Sequence, residues 1–463
     1  MQRACVLAFA LTVSEMSVAG GFSLIEHGAS GLGNAYAGAA AVSLDASTIW
    51  FNPAGMTELK EKQFIAAGHI IDVDSEFTDQ GTTLNSAFGG DFVDPNFGTP
   101  DALGPVDAGG TAFLPNLYYV HPLKKGVTLG IGLGIPYGNS TDYDPTWVGR
   151  YQAVESSVTA IDINPSISYR VNDVLNIGGG ISVQYLTANI GNAVDSGGTC
   201  FGLASAGQLA LADCLGAGLT GPGIAATDGF ADVEGDSTAF TFNFGLLYKP
   251  RAGTNLGFAF RSGVEHELEG TADFTNNPAF ETLLGSNGIP LFLDGDVTAE
   301  ADLPPTAMFS VAHKATDRLQ LLADATFTGW SSFDELRVVF DNPAQPDTFN
   351  TIAYEDVWRV SAGVNYEYSD QWTFRGGVAF DEDPTPSPVL RTSRIPGNDR
   401  TWVSFGVGYK ANKRVGVDVS FAHLMLDDTP IANVGESAGG TTTRGIFDSF
   451  VNILSAQVVV QFD

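Results

Sequence analysis

Glycine-rich stretches are the first places where this sequence could carry chemistry, since the backbone amides of such loops can bind phosphate. They read GLGNAYAG from Gly31 and GIGLG from Gly130. Neither has the G-x-G-x-x-G spacing within a strand–helix–strand unit that dinucleotide binding requires. The tripeptide GDS from Gly235 is similar to the surroundings of an esterase serine, but no G-x-S-x-G elbow encloses it. We interpret it as a junction between a loop and a strand.

Histidines and cysteines are the other residues that could form a reactive site. The six histidines are scattered without the spacing of a metal site: His27, His69, His121, His266, His313 and His423. We therefore predict no catalytic residue, no metal, no cofactor and no enzymatic activity. Cys200 and Cys214 share a segment rich in Gly and Ala, without a further Cys or His beside them. A disulfide in an oxidising compartment is favoured over a metal site.

The segment STIWFNPAGM, from Ser47 to Met56, joins an apolar run to turn-forming residues. The residue before a proline is pushed out of the helical region, which here is Asn52, and Gly55 accepts positive φ values. From these residues alone we predict a turn after Phe51.

Composition favours one large closed sheet over two or three soluble domains. The 463 residues include 55 Gly and 11% aromatic residues, but only 16% charged residues. A soluble surface normally requires about 25% charged residues. The net charge of −31 excludes nucleic acid as a partner. We assign the acidity to solvated loops, with metal bridging between these loops and anionic lipids as the alternative.

Residues 1–19 have the pattern of a secretory signal peptide. Arg3 precedes an apolar stretch from Ala4 to Val13, and Ser17-Val18-Ala19 is a small-x-small cleavage signal. A short buried helix is the alternative. Export agrees with the disulfide proposed above.

Alternating polar and apolar residues mark the strands of the remaining chain. In the segment from Trp358 to Tyr368 the odd-numbered side chains are polar or glycine and the even-numbered ones are apolar, and the same alternation recurs from Trp372 to Asp381 and from Val415 to Phe421. Short turns alternate with long polar or Gly-rich connections. These features predict an all-β transmembrane antiparallel barrel of fourteen strands, spanning residues 63–463 and localised as a multi-pass protein in the outer membrane.

Aromatic residues near the predicted strand ends suggest interfacial girdles. They are Tyr118, Tyr119, Tyr169, Tyr248, Trp358, Trp372, Trp402 and Tyr409. Residues 20–62 precede the first strand, are rich in Gly and Ala, and show short helical signals. We predict that they form a hatch that plugs the barrel, with a periplasmic linker as the alternative.

Several segments of the chain resemble the long-chain fatty acid transporter (FadL) family of outer-membrane proteins. The resemblance is carried by GFSLIEHGASGLGNAYAGAAAVSLDASTIWFNPAGM, FLPNLYYVHPL from Phe113, TGWSSFDEL from Thr328, YEDVWRVSAGVNY from Tyr354 and TFRGGVAFDEDPTPSPVLRTSRIPGNDRTWVSFGVGY from Thr373. It implies a fourteen-stranded barrel closed by an N-terminal hatch, through which hydrophobic substrates diffuse without an energised pump. Loops near 191–236 and 269–296 would capture the substrate, which then moves to a pocket beside Phe22.

The resemblance also places the gate and a lateral opening. The gate residues would be Phe22, Trp50, Phe51, Asn52, Pro53, Ala54 and Gly55. A kink in the third strand, at Pro136, Tyr137 and Gly138, would open the wall. Proline removes a ladder donor and glycine weakens a strand, so the residues support the kink independently, and an ordinary strand end is the alternative.

The head-group contact of the family does not carry over to this sequence. Near Asn192 and Thr351, where the resemblance places basic residues, the chain has no Arg or Lys. Arg391, Arg394 and Arg400 are the remaining candidates for lumen or loop roles. Inward polar residues could guide a solute or form a paired charge network that fixes the hatch. They are Arg359, Glu367, Arg375, Asp381 and Asp418, with Arg391 and Arg400 as further lumen candidates.

The predicted function is passive uptake of hydrophobic small molecules, above all long-chain fatty acids. The alternatives are uptake of neutral aromatic hydrocarbons, a surface adhesion or structural barrel, and a water-filled porin. Expected partners are the hydrophobic substrate, outer-membrane lipid and lipopolysaccharide, and the barrel-assembly machinery, and we expect a monomer.

Overall fold

The computed structural model describes residues 21–85, 91–92, 106–436 and 441–462. The predicted signal peptide, residues 1–19, lies outside the described residues. Among the described residues, no helix is both long and apolar enough to cross a membrane.

Fourteen antiparallel strands form one closed barrel. Five of them are interrupted and have two segments each. The strands are β1 Lys62–Asp79, β2 Gly110–Pro122, β3 Val127–Asp142, β4 Glu155–Arg170, β5 Leu175–Val194, β6 Gly229–Arg251, β7 Thr254–Arg261 and Val264–Thr275, β8 Gly295–Leu303 and Thr306–Lys314, β9 Leu319–Thr328 and Glu335–Phe340, β10 Thr348–Thr351 and Val357–Glu367, β11 Trp372–Asp381, β12 Arg400–Lys410, β13 Val415–Leu426 and Thr429–Val434, and β14 Thr441–Phe462.

The barrel closes between its first and last strands. β1 pairs with β14 without interruption, from Lys62 opposite Phe462 to Asp79 opposite Gly445. This pairing leaves no free edge between the first and last strands, which lipid could not satisfy with hydrogen bonds. Three short strands extend the sheet beside β1 and β14, namely Thr83–Asn85, Asp91–Phe92 and Val106–Asp107.

The two faces of the strands differ as period-two alternation requires. Phe240, Phe242 and Phe405 are exposed on the outside of the barrel, whereas polar side chains such as Gln184 and Ser404 are buried inside. The girdle prediction was wrong for Tyr118 and Trp402, which are each only 2% exposed. Trp402 shares its face with Arg400 and Ser404, which points it inward.

Residues 21–59, which we call the lumenal segment, pack inside the barrel. The segment contains two one-turn helices, α1 Ala29–Leu32 and α2 Thr48–Phe51, and a 3-10 helix Pro53–Glu58. Its backbone is tied to β14, where Gln457 Oε1 accepts a hydrogen bond from Ala29 N at 2.9 Å. These residues are mostly buried, unlike those of a solvated linker.

Two long loops at one end of the barrel carry three α-helices of the described chain, namely α3 Ser196–Ser205, α4 Leu211–Gly216 and α5 Pro278–Ser286. The first loop also contains the 3-10 helix Ala225–Thr227, and two further 3-10 helices, Lys124–Gly126 and Trp330–Ser332, lie elsewhere in the chain. The loops pack together through an apolar cluster that includes Leu209, Phe280 and Leu284. Cys200 and Cys214 form a disulfide within this cluster.

Candidate functional site

The wall of the barrel is incomplete between β2 and β3. These strands pair only from Leu117 to Pro122 on β2, against Thr128 to Leu133 on β3. The register of β3 with β4 also shifts between Gly134 and Tyr137. Pro136 lies within this shift and has no N–H to donate, which accounts for the interrupted ladder.

The start of the lumenal segment fills the break. Ser23 pairs with Tyr137 as an isolated antiparallel bridge. Leu24 N donates to Pro136 O at 2.8 Å, and Gly138 N donates to Phe22 O at 3.0 Å. The lumenal segment therefore acts as a short extra strand beside β3.

The segment also contacts β2, on the other side of the break. Asn116 Nδ2 donates to Glu26 O at 2.8 Å. Because contacts run from the lumenal segment to both β2 and β3, this segment covers the unpaired part of the wall from inside.

An aromatic cluster surrounds Phe22 next to this opening. The ring centroid of Phe22 lies 5.0 Å from Trp330, 5.4 Å from Phe333 and 5.9 Å from Tyr137. Tyr354 packs on Trp330 at 5.6 Å. The close packing has one backbone requirement: Gly21 has φ +64, and a Cβ there would lie 2.5 Å from the Trp330 ring.

An apolar cavity of about 120 Å³ begins at Phe22 and runs away from the lumenal segment. Its wall is mostly aliphatic, with Leu186, Leu268 and Leu303 among the lining residues. Among the described residues, Arg394 and Glu234 are the charged residues that line it. Such a cavity desolvates an apolar ligand and offers a charge at one end.

Arg394 also lines a larger outer cavity of about 760 Å³ between the long loops. Its Nη1 donates to Ser156 Oγ at 2.7 Å and to Glu155 O at 3.0 Å. Among the described residues, no carboxylate lies within ion-pair distance of this guanidinium. Desolvation lowers the pKa of Arg394 to about 10, so the side chain is still cationic at neutral pH.

A buried ion pair fixes the loop that forms one wall of the outer cavity. Arg150 Nε binds Asp228 Oδ2 at 2.8 Å, and Tyr151 OH donates to the same carboxylate at 2.8 Å. Asp195 accepts from Gly198 N at 2.7 Å and Gly223 N at 3.2 Å. Burial raises the pKa of Asp195 to about 6. These contacts join both ends of the loop that contains α3 and α4.

The Asn-Pro-Ala-Gly elbow seats the lumenal segment against β5 and β6. Asn52 Nδ2 donates to Ala40 O at 2.6 Å and to Leu246 O at 2.9 Å, and Asn52 Oδ1 accepts from Ala54 N. A Cβ at Gly245 would lie 2.0 Å from Asn52 Oδ1, so the elbow requires glycine on the wall. A Cβ at Gly178 would likewise overlap the backbone at Pro53, so this wall position also requires glycine. Gly55, in the 3-10 helix of the elbow, is also buried.

Trp50 and Phe51 have different neighbours. Trp50 stacks on His27 at 3.8 Å, and the Arg261 guanidinium lies over its ring at 3.6 Å. Phe51 packs within the lumenal segment, 5.4 Å from Tyr36. Only Trp50 therefore contacts a charged group of the wall.

The predicted lumen residues fall into three groups. Three arginines are paired with carboxylates: Arg375 with Asp418 at 2.5 Å, Arg391 with Asp383 at 2.8 Å, and Arg400 with Asp381. Glu367 is exposed at the end of β10, outside this network. Arg359 is buried, and its Nη2 donates to Ala35 O at 3.0 Å.

Sequence reasoning gave no weight to Trp330 and Phe333 and named Arg394 only among three arginines. The segment TGWSSFDEL, which contains both aromatic residues, could have indicated a functional role for them because it also carries the family resemblance. Among the described residues, no group of three His, Cys, Asp or Glu side chains could hold a metal ion. The site thus consists of cavities, apolar walls and arginines.

A family model described as "Outer membrane protein transport protein (OMPP1/FadL/TodX)" matches residues 10–462. The long-chain fatty acid transport protein of Escherichia coli O6:H1 is 28% identical over 427 residues, covering 91% of this chain and 90% of that protein. Outer membrane protein P1 of Haemophilus influenzae is 29% identical over 423 residues, covering 88% of this chain and 86% of that protein.

Solved structures share the fold. A FadL homologue of Pseudomonas aeruginosa has a TM-score of 0.81 at 25% identity, covering 96% of this chain and 100% of that chain. The toluene transporter TodX of P. putida has a TM-score of 0.61 at 16% identity, covering 90% of this chain and 94% of that chain, and this likeness concerns the fold alone.

Proposed function

The chain belongs to the OMPP1/FadL/TodX family of outer membrane transport proteins, and within this family of channels for hydrophobic compounds we propose that it takes up long-chain fatty acids by passive diffusion. The loops around α3, α4 and α5 capture the acid. The apolar cavity then holds it against Phe22, and the break between β2 and β3 releases it. Burial of apolar surface is favourable by about 25 cal/mol per Å², so capture requires no energised step.

Arg394 is the observation that supports a carboxylic acid as the substrate. It lines both the outer cavity and the apolar cavity, and no carboxylate of the described chain pairs with it. A partly buried cation without an anion is unfavourable, and a carboxylate matches the planar fork of a guanidinium. The alkyl chain would then lie along Leu186, Leu268 and Leu303 while the head group binds Arg394.

The lumenal segment would act as the hatch in this mechanism. Its first residues pair with β3 beside Pro136 and also form the floor of the apolar cavity through Phe22. A ligand that displaces Phe22 would therefore strain the same backbone that covers the wall opening. This coupling supports lateral release.

A disulfide lock tests the hatch directly. Ser23 and Tyr137 are bridge partners without mutual hydrogen bonds, the geometry in which Cα atoms approach most closely. We expect the double variant S23C/Y137C to take up oleate when reduced and to stop when oxidised. Uptake that is equal in both redox states would contradict a moving hatch.

Neutral aromatic hydrocarbons are the second candidate class. The apolar cavity is small, and its wall carries few polar groups, features that suit a compact uncharged ring. The fold likeness to a toluene transporter is compatible with this class but does not select it.

Growth of a host lacking its own transporter distinguishes the two classes. Cells carrying the protein should grow on oleate, and R394Q should reduce that growth several-fold while leaving any growth on toluene unchanged. R337Q is the matched control, because Arg337 is half-exposed and pairs with Glu335 on the outside of the site. If R394Q and R337Q grew equally well on oleate, the role of Arg394 would be abandoned. Growth on toluene alone would favour the second class.

A further inference from the structure

A separate inner cavity of about 100 Å³ lies beyond the aromatic cluster. Residues 23–26 of the lumenal segment line it on one side, and Pro136 and Tyr137 of the β3 break line it on another. It therefore adjoins the wall opening, whereas the apolar cavity ends at Phe22. The charged side chains that line it are those of Glu26, Arg261, Arg359, Asp381 and Arg400.

The donors around this cavity are incompletely used. Arg359 Nε and Nη1, Arg261 Nη2, Arg400 Nε and Trp402 Nε1 are buried and have no hydrogen-bond partner among the described residues. All four residues are at most 7% exposed. A buried donor that makes no hydrogen bond is unfavourable, and more so when the group is charged.

The arginines are held in place by contacts that leave these N–H groups unused. The Arg359 guanidinium lies 4.8 Å from the centre of the Trp402 ring. Of its nitrogen atoms, only Nη2 donates a hydrogen bond to the described residues, and the acceptor is Ala35 O. Arg261 stacks on Trp50 and donates Nη1 to Ser182 Oγ at 3.2 Å, with Asp162 at 3.8 Å. Rigid cations with spare donors form a preorganised anion site.

The contrast with neighbouring arginines argues against a purely structural network. Arg375 and Arg391 are each paired with a carboxylate at 2.5 Å and 2.8 Å, and neither lines this cavity. Arg359 forms no ion pair with the described residues, although it is equally buried. Among the described residues, two acids line this cavity: Asp381 is bound to Arg400, and Glu26 forms no ion pair with an arginine.

We propose that the inner cavity is a second carboxylate subsite, centred on Arg359, which receives the head group of a fatty acid after it leaves Arg394. This proposal rests on the proposed uptake of fatty acids. The cavity is large enough for a carboxylate and its first methylenes, and Leu24, Ile25 and Met308 supply an apolar wall for them. Two arginine sites on either side of Phe22 would pass the charge across the aromatic cluster without exposing it to lipid.

The experiment measures binding of laurate and of neutral 1-dodecanol to the full protein in lipid nanodiscs, corrected for empty nanodiscs. We expect the wild type to bind two laurates, R394Q to lose one and R359Q to lose the other by an affinity drop of about tenfold or more. Binding of 1-dodecanol should be the same in the wild type and R359Q.

Three results would overturn the subsite: a single laurate site removed by R394Q and untouched by R359Q, an equal loss of laurate and 1-dodecanol in R359Q, or no laurate binding at all. The first leaves the proposed function intact, while the last removes fatty-acid uptake as well. If R359Q does not fold, M308W tests the same cavity by filling it. It should remove the inner laurate site and leave the Arg394 site, and full retention of both would refute the proposal.

Discussion

Buried arginines in this barrel differ in role according to their partners. Arg375 and Arg391 are neutralised by Asp418 and Asp383, so they fix strands and loops. Arg394 and Arg359 face cavities without such a partner. A buried charge without a partner is unfavourable unless a ligand supplies the opposite charge, which makes these two positions the ones to test.

Also at the residue scale, glycines of the barrel wall leave the space that the lumenal segment occupies. We expect G245A to destabilise the folded protein by about 1–3 kcal/mol, since its Cβ would overlap Asn52 Oδ1. The measurement is the midpoint temperature of the heat-induced gel shift. G376A is the matched control on β11, where the nearest atom to a Cβ is 4.0 Å away. An equal effect of both substitutions would contradict the seating role of Gly245.

The carboxyl group of Asp195 should make the outer loop sensitive to pH. Burial raises its pKa to about 6, above the unfolded value of about 3.9, so the folded loop holds the proton more tightly. Stability of the loop is then greatest below about pH 4 and falls by up to about 3 kcal/mol as pH rises through 6. Arg150, Tyr151 and Asp228 are the titratable groups in the same cluster.

Amide hydrogen exchange of α3 measures this effect, with D195N compared at each pH so that intrinsic exchange rates cancel. Asn keeps the helix cap but cannot ionise. We expect equal protection near pH 4 and better protection of D195N near pH 7. A constant difference across the range would exclude Asp195 as the cause.

At the scale of elements, Pro136 and the lumenal segment determine how the third strand is paired. Pro136 interrupts the ladder of β3, and the lumenal segment repairs it with Leu24 N donating to Pro136 O. The repair uses two backbone hydrogen bonds instead of a full strand pairing, so we expect it to separate more readily than a full strand pair.

The variant L24P removes one of these donors. We expect the thiol of S23C to react with a maleimide several-fold faster in the L24P background, because the segment separates from β3 more often. I25P is the control, since the adjacent substitution leaves the Leu24 donor in place. Equal labelling of the two backgrounds would show that this hydrogen bond does not hold the segment.

At the scale of the whole molecule, we expect the lumenal segment to block the barrel lumen, so that its removal would leave an open pore. Deletion of residues 21–59 should produce steady ion conductance in planar bilayers, because polar inward side chains such as Gln184 and Ser404 would then face water. Deletion of residues 196–216 is the control, since that loop lies outside the lumen. Conductance of the intact protein equal to that of the first deletion would indicate an open porin.

Local patterns in the sequence determined most of the architecture. Alternation with period two, short and long connections, and the proline of β3 predicted the fourteen strands and the break at Pro136, because side-chain direction and ladder hydrogen bonding are local properties of the backbone. The first strand begins at Lys62, next to the predicted start at 63. The family resemblance could also be recognised from the sequence, because contiguous segments of the chain carry it.

Only the tertiary structure decided which residues meet. Phe22, Tyr137 and Trp330 are far apart in sequence and become one cluster when the barrel closes around the lumenal segment. Trp402 proved to line the inner cavity instead of a girdle, and Glu367 lies outside the charge network. Whether an arginine is paired depends on strands and loops brought together by closure, so the sequence could name Arg359 and Arg394 but not show that their donors face cavities.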